Sequence, residues 1–356
     1  MPFIARIAVI ATIAATLAGC ATVDNLARWW NEDDELPANG VEREQGPRVR
    51  IDVQGVDGAL ADNVRAMLVL ATEPCDAPDW RVEREFARSE DDVRRALRAF
   101  GHYRPEVTSV LRRAEGCWLA SYELGAGPRV LFGDIDVRIE GPGADDGRFA
   151  AFLAAPPVAT GEPLDHGRYE GLKRAIESIA AERGFFDGRF VENRLAVDVA
   201  ADRADVTLVY ATGPRYRLGD IRIEQTAFEE DLVGRMTQIE SGDAYDSAAL
   251  AAQNRVYGDS GYFSDVDISP RLREARTGDA DADGERSVPV GVTLTPRPKH
   301  AYSAGLGYAT DTGPRVRLGY ENRRLNRLGH RWSADAAVST SDSEIDLGYR
   351  IPLADP

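Results

Sequence analysis

What the sequence lacks narrows its function first. Basic residues are not in excess: 43 Lys and Arg stand against 59 Asp and Glu, a net charge of −16. A nucleic-acid binder shows a basic footprint, so this balance argues against that class. Catalytic signatures are missing too. No G-x-S-x-G, H-E-x-x-H or Walker phosphate loop occurs. Histidine is scarce, and His102, His166, His300 and His330 lie far apart in sequence. Asp279-Ala280-Asp281-Ala282-Asp283-Gly284 imitates the start of a calcium loop, but Val290 stands where the bidentate Glu is required. That stretch reads as an acidic hairpin loop between Ile268 and Val290. No catalytic residue, metal site or cofactor is expected, and the chain does not read as an enzyme.

Cysteine is also rare, with three in 356 residues, and each has a different reading. The apolar run from Ile4 to Leu17 is too short to span a bilayer and fits the core of a signal peptide, so residues 1–20 read as an export signal. It closes on Leu17-Ala18-Gly19-Cys20, which makes Cys20 a candidate for lipidation; the alternative is ordinary cleavage nearby with Cys20 incidental. Ala21 after the cysteine fits sorting to the outer membrane. Export implies an oxidising compartment, where Cys75 and Cys117 can pair. Closing a loop of about 40 residues would constrain the unfolded chain by roughly 3–4 kcal/mol. The other reading is two buried free thiols. Residues 21–46 have no apolar period and read as a flexible linker.

Internal repetition organises the rest. Gly127-Pro128-Arg129-Val130-Leu131-Phe132-Gly133-Asp134-Ile135 recurs as Gly213-Pro214-Arg215-Tyr216-Arg217-Leu218-Gly219-Asp220-Ile221. A weaker copy without the Gly-Asp starts at Gly46-Pro47-Arg48. A second element, Gly101-His102-Tyr103, matches Gly184-Phe185-Phe186 and Gly261-Tyr262-Phe263. Three units of about 80 residues follow, with expected spans 47–127, 128–213 and 214–298. Each opens with an alternating strand, such as Ile135, Val137 and Ile139 against Asp134, Asp136 and Arg138. A first helix is expected over 60–71, 147–155 and 228–236, and a second, in unit two, over 164–183. The repeated Gly suits a residue with φ > 0 that ends the second helix. Two strands, such as 190–199 and 205–211, close the unit. The order is β-α-α-β-β, and the fold class is α+β. The Gly-Pro-Arg between units reads as a hinge, and the marks Gly101, Gly184, Gly261, Gly133, Asp134, Gly219 and Asp220 read as structural.

From 299 to 356 the period changes to two. Tyr302, Ala304, Leu306 and Tyr308 alternate with Ser303, Gly305 and Gly307. The stretches around Val316–Tyr320, Trp332–Val338 and Ile345–Tyr349 alternate likewise. Apolar outward, polar or Gly inward, with Tyr and Trp near the ends, is the pattern of transmembrane β-barrel strands; a soluble half-buried sheet would read similarly, and the position after the repeats favours membrane strands. Four strands cannot close a barrel, so a full-length relative is expected to continue by roughly ten or more strands. The turn 322–330, with Arg323, Arg324, Arg327 and His330, has two readings: contact with anionic headgroups or an inner partner, and a plain solvated turn.

These repeats resemble the POTRA domains of the BamA/TamA outer-membrane superfamily, on the Gly-aromatic-aromatic turn and the Gly-Asp-Ile strand. Tyr308-Ala309-Thr310-Asp311-Thr312-Gly313-Pro314-Arg315 and Gly319-Tyr320-Glu321-Asn322-Arg323-Arg324-Leu325-Asn326 resemble the barrel start of the TamA branch, and three units fit it. The resemblance implies an outer-membrane protein with periplasmic units that assembles or inserts barrel proteins and autotransporters. It implies unfolded clients, outer-membrane lipid and a TamB-like inner-membrane protein as partners. Clients would add to a sheet edge, with the last strand of a unit, 205–210 or 291–295, expected to receive them. The first barrel strand, with Tyr302, Ser303, Gly305, Gly307 and Tyr308, would pair weakly and open sideways. The alternative is a two-partner-secretion pore or an envelope-spanning tether.

Overall fold

The computed structural model describes residues 46–277, 286–309, 313–340 and 342–352. The signal segment, Cys20, the linker and the acidic loop 279–284 lie outside the described residues.

Three successive units repeat one order of elements. Unit one has β1 (Arg50–Gln54), α1 (Gly58–Met67), α2 (Asp79–Arg98), β2 (Glu106–Ala114) and β3 (Cys117–Gly125). Unit two has β4 (Leu131–Glu140), α3 (Gly147–Ala154), α4 (His166–Glu182), β5 (Arg189–Asp198) and β6 (Arg203–Ala211). Unit three has β7 (Arg217–Glu224), α5 (Glu230–Met236), α6 (Ser247–Asp259), β8 (Phe263–Pro270), then α7 (Leu272–Thr277) and β9 (Ser287–Pro296). The helix expected over 60–71 is broken: Leu68 takes an extended backbone, and a 3-10 turn follows over Val69–Thr72. The break lets both Leu68 and Leu70 be buried.

Each unit buries its own core. In unit two, Asp165 caps α4 by accepting from the Gly167 N–H, and Tyr169, Leu172, Ile176 and Ala180 form the buried stripe. They meet Val206, Leu208 and Tyr210 of β6. In unit one, Cys75 and Cys117 form a disulfide with Cα atoms 4.6 Å apart. It fastens the inter-helix loop to the start of β3, beside the bond from Cys75 N to Pro47 O.

The sheet topology corrects one expectation. The orders are β1-β3-β2, β4-β6-β5 and β7-β9-β8, so the last strand of every unit is central. It pairs parallel with the first strand and antiparallel with the second. The strands 205–210 and 291–295 therefore have no edge to offer, and Val206 and Val292 are each 1% exposed. The second and last strands pair as sequence neighbours, and the βαα crossover returns the first strand to the only remaining side of the last.

After β9 come β10 (His300–Ala309), β11 (Gly313–Asn322), β12 (Arg331–Ser339) and β13 (Ser343–Arg350). They pair in sequence order as an antiparallel meander. β10 pairs with β11 without interruption from His300↔Asn322 to Ala309↔Gly313, so the small residues of β10 do not weaken that side. Among the described residues no helix is long and apolar enough to cross a membrane; strands are a separate matter.

Candidate functional site

The repeated motifs meet one another at the joints between units. Gly101 has φ +87° and Gly184 φ +83°, and each ends the second helix of its unit. The amide after each reaches back to the helix: His102 N donates to Leu97 O, and Phe185 N to Ala180 O. The next unit then docks on the glycine. Val130 N donates to Gly101 O, and Tyr216 N to Gly184 O, both at 2.9 Å. The arginine of Gly-Pro-Arg completes the contact. Arg129 Nε donates to Phe100 O and Arg215 Nε to Arg183 O, both at 2.8 Å. Arg297, which follows Pro296, makes a related bond at the base of the meander, donating from Nε to Phe263 O at 2.9 Å. Gly-Pro-Arg is thus a hydrogen-bonded clasp, and the hinge reading is corrected. The signal was in the sequence: an Arg follows Pro at 129, 215 and 297.

Glycine is required at these joints for space as well as for φ. A Cβ on Gly184 would lie 2.7 Å from Tyr245 Cβ, and one on Gly101 would lie 2.8 Å from Leu164 O. Phe186 packs edge-on against Tyr216 and Tyr245, with centroids 5.3 and 4.8 Å away. The Gly-Asp marks have a different role. Pairing of β4 with β6 shifts register between Phe132 and Ile135, and that of β7 with β9 between Leu218 and Ile221. Gly133-Asp134 and Gly219-Asp220 are therefore bulges. Asp134 N donates to Asp205 Oδ1, and Arg203 pairs with both carboxylates.

An ion cluster that the sequence did not reveal sits at the joint of units two and three. Arg183 bridges Asp146 (2.9 Å) and Asp246, and Arg215 stands 4.0 Å from Asp146. Arg215 Nη2 also donates to Tyr245 O. Burial pushes the Asp146 carboxyl up, but the Arg148 amide and the guanidinium groups of Arg183 and Arg215 outweigh it and hold the group below the usual range. At the preceding joint Tyr103 Oη lies 2.7 Å from His166 Nε2. Burial holds the His166 imidazole below its ordinary value, against the pull of Asp165 and Glu170.

Much of the cationic turn 322–330 is engaged within the protein, so it is not simply solvated. Arg327 pairs with Glu229 at 2.8 Å, and Glu229 N donates to Arg327 O. Tyr262 Oη donates to Gly329 O at 3.0 Å. Arg331, just after the turn, donates to Ser260 O and lies 4.1 Å above the Tyr262 ring. The turn therefore plugs unit three onto the end of the sheet.

Two surfaces remain open. Among the described residues, the second strand of each unit, β2, β5 or β8, has no strand on its outer side. By contrast, segments 160–164 and 242–245 cover the start of β4 and β7. Val110 on β2 and Val191 on β5 are 55% and 53% exposed. In unit three a cavity of about 380 Å³ lies between α6 and β8, lined by Tyr245, Leu250, Ala251, Asn254, Ile268 and Pro270. Asn254 Nδ2 donates to Val266 O and ties the helix to that edge strand.

The second surface is the meander's apolar face. Its register aligns Tyr302, Tyr320 and Ala334 in one row and Ala304, Leu318, Ala336 and Ile345 in another. The opposite face aligns Ser303, Gly319, Asp335 and Asp346. Leu306, Ile345 and Leu347 are 88%, 77% and 75% exposed. Tyr302, Tyr320, Trp332 and Tyr349 gather near the end that meets unit three, and Tyr308 lies near the other. This is the two-faced pattern of strands that open a transmembrane barrel.

Residues 50–125 match the family model described as POTRA domain TamA domain 1, and residues 216–296 match the POTRA model described as surface antigen variable number repeat. Among solved structures, BamA from Haemophilus ducreyi lacking POTRA domains 1-3 aligns at 12% identity and TM-score 0.48, covering 62% of this chain and 39% of that one. CdiB from Acinetobacter baumannii aligns at 15% identity and TM-score 0.34, covering 64% and 42%. This chain thus spans under half the length of either. The first and third units thus match POTRA-domain models, the first of them the TamA kind.

Proposed function

We propose that this chain is an assembly factor of the outer membrane, TamA-like in role. Its three units stand in the periplasm and hold client strands, and its meander lies in the membrane as the start of a barrel. The observation that carries this reading is the open edge of β8 beside the apolar cavity under α6. An incoming strand hydrogen-bonds to the edge, and its inward side chains enter the cavity. The open edges β2 and β5 extend the same opportunity along the array. Clients are unfolded barrel proteins or autotransporters. An inner-membrane partner of the TamB kind docks on unit one, and β10, an edge strand of the meander, templates client strands in the membrane.

Photo-cross-linkers placed at Val191 and Asp267, on β5 and β8, should give adducts with an unfolded barrel client. Probes at the buried Val206 and Val292 should give none. Absence of edge adducts, together with ion conductance from the complete barrel, would favour a secretion pore. Function surviving deletion of 300–356 would favour a tether.

A further inference from the structure

The three open edges differ in what they offer an incoming strand. On β8 the exposed side carries Asp265 and Asp267, and the half-buried side carries Val266, Ile268 and Pro270. The matching exposed positions are Arg194 and Ala196 on β5 and Val110 and Arg112 on β2. Across the sheet, Asp265 and Asp267 face Thr295 and Thr293, which bear no charge. Arg271 and Arg297, beside the two ends of β8, are engaged with Glu274 and with the Phe263 carbonyl. Ser269 Oγ donates to Asp267 Oδ2, and among the described residues neither carboxylate forms a salt bridge.

Two hydrogen bonds show which backbone groups the edge presents. Arg271 N donates towards β9, to Pro289 O, and Asn254 Nδ2 reaches Val266 O from α6. In an antiparallel pair these directions alternate, so Asp265, Asp267 and Ser269 bond to β9, and Val266 and Ile268 turn their groups outward. Pro270 has no amide and ends the edge. The residues that receive a strand are therefore those on the side of α6 and its cavity, and the two carboxylates flank Val266 on the other face.

We propose that the β8 edge selects client strands whose residues alternate between apolar and cationic. The proposal rests on the client-binding reading of that edge given above, and its argument is charge complementarity in a fixed register. A client residue set beside Val266 has neighbours that lie against Asp265 and Asp267, whichever way the strand runs. Cations at those two positions are attracted by the carboxylates, and acids are repelled. An apolar residue two positions along lies at Ile268 and enters the cavity under α6. This chain's own β11 has the required order in Arg315-Val316-Arg317-Leu318. Barrel strands of that composition are the client class of β8, in distinction from β2 and β5.

A peptide copying residues 314–320 should be titrated into the full chain in a neutral detergent. Its R315Q/R317Q and R315E/R317E forms, and a copy N-methylated on the amides of 316–318, complete the set. The arginine peptide should bind about tenfold more tightly than the glutamine form, and the glutamate form more weakly again. The N-methylated copy should not bind, because it cannot bond to the edge. In the chain, D265N/D267N should bring the arginine and glutamine peptides to equal affinity. The charge control D220N/E224Q, on β7, should keep the preference. A preference that survives D265N/D267N, or that D220N/E224Q also removes, overturns the proposal. Tighter binding of all three charge forms to D265N/D267N overturns it too, since the carboxylates would then only guard the edge. If the three charge forms bind wild type equally and the N-methylated copy does not bind, the selection falls and the edge reading stands. If no peptide binds, or the N-methylated copy binds as well as its parent, the edge reading falls and takes the proposal with it.

Discussion

Removing Arg183 should loosen the joint between units two and three without unfolding either unit. Arg183 joins Asp146 of unit two to Asp246, the cap of α6 in unit three. Its side chain is 22% exposed, and those of Asp146 and Asp246 are 6% and 28% exposed. Breaking a fully buried pair costs about 3–5 kcal/mol, because the remaining charge is left without compensation. Here Arg215 still stands 4.0 Å from Asp146, and solvent reaches Asp246, so we expect about 2–3 kcal/mol for R183M. The joint's own amides report it. Tyr216 N is bonded to Gly184 O across the joint, and Tyr245 N to Tyr216 O beside it. Native-state hydrogen exchange at these two amides should accelerate roughly 30- to 150-fold, while amides in the centre of β6 and β9 keep their rates. The double variant D146N/R183M should recover part of the loss, since it removes the stranded carboxylate. Additive effects of the two single changes, within about 0.5 kcal/mol, would refute the coupling.

The same carboxylate predicts an acid response. The Asp146 pKa is depressed in the folded joint, so its contribution is complete above the ordinary carboxylate pKa and is lost as pH falls through the lower, folded value. Joint two–three should therefore stay closed down to about pH 4 and open below it. D146N should remove that acid step in exchange measurements.

Other predictions follow from the remaining contacts. The pKa of His166 is depressed by burial, so the neutral ring is favoured in joint one–two, and that joint should weaken as pH falls below about 6.5, well before the second; H166Q should flatten the response in exchange at Val130 N. Replacing Cys75 and Cys117 with alanine should lower the stability of unit one by about 2–4 kcal/mol in chemical denaturation, with smaller effects on unit three. L208A, in the core of unit two, should cost about 2–5 kcal/mol in the same assay. R331A should cost about 1–2 kcal/mol at the contact of unit three with the meander, seen as a broader distance distribution between spin labels on α6 and β12.

The fold was legible in the sequence because its signals repeat. The Gly-aromatic turn, the Gly-Asp pair and the helical stripe of Leu172 and Ile176 each point to one element, and the structure contains those elements with small changes in their bounds. The strand positions in each sheet were less legible. Alternation tells which residues face the core, and it does not tell which strand lies in the middle. A signal was present even so: Leu208, Val209 and Tyr210 are consecutive apolar residues, all buried, as in a strand covered on both faces. The joints were the least legible part. Arg183, Asp146 and Asp246 come from three places in the chain, and nothing local in the sequence links them. The turn 322–330 was only half legible for a similar reason. Its run of cations is plain in the sequence, but Glu229 and Tyr262, which engage Arg327 and Arg331, lie far back in the chain.

The joints bear on how the open edges can work. A client strand on β5 and another on β8 can belong to one process only if the two edges keep a constant relation. A flexible linker would not give that relation, and at joints one–two and two–three the units are clasped instead. The glycine after each second helix is bonded to the next unit just ahead of its first strand, and the arginine that follows the proline closes the contact from the other side. At the base of the meander Arg297 fastens the end of β9 to Phe263, and the turn 322–330 adds its own contacts, so unit three is held by two connections to the meander. Displacing one unit must then break several hydrogen bonds, and at joint two–three an ion cluster as well, not merely rotate a few backbone angles. The base of the meander adds contacts of other kinds: an ion pair, a cation resting on an aromatic ring and a tyrosine hydroxyl bonded to a turn carbonyl. On the proposed function, a strand received at β8 is separated from the meander by one such joint and a strand received at β2 by three, so the β8 edge keeps the more constant relation to the meander.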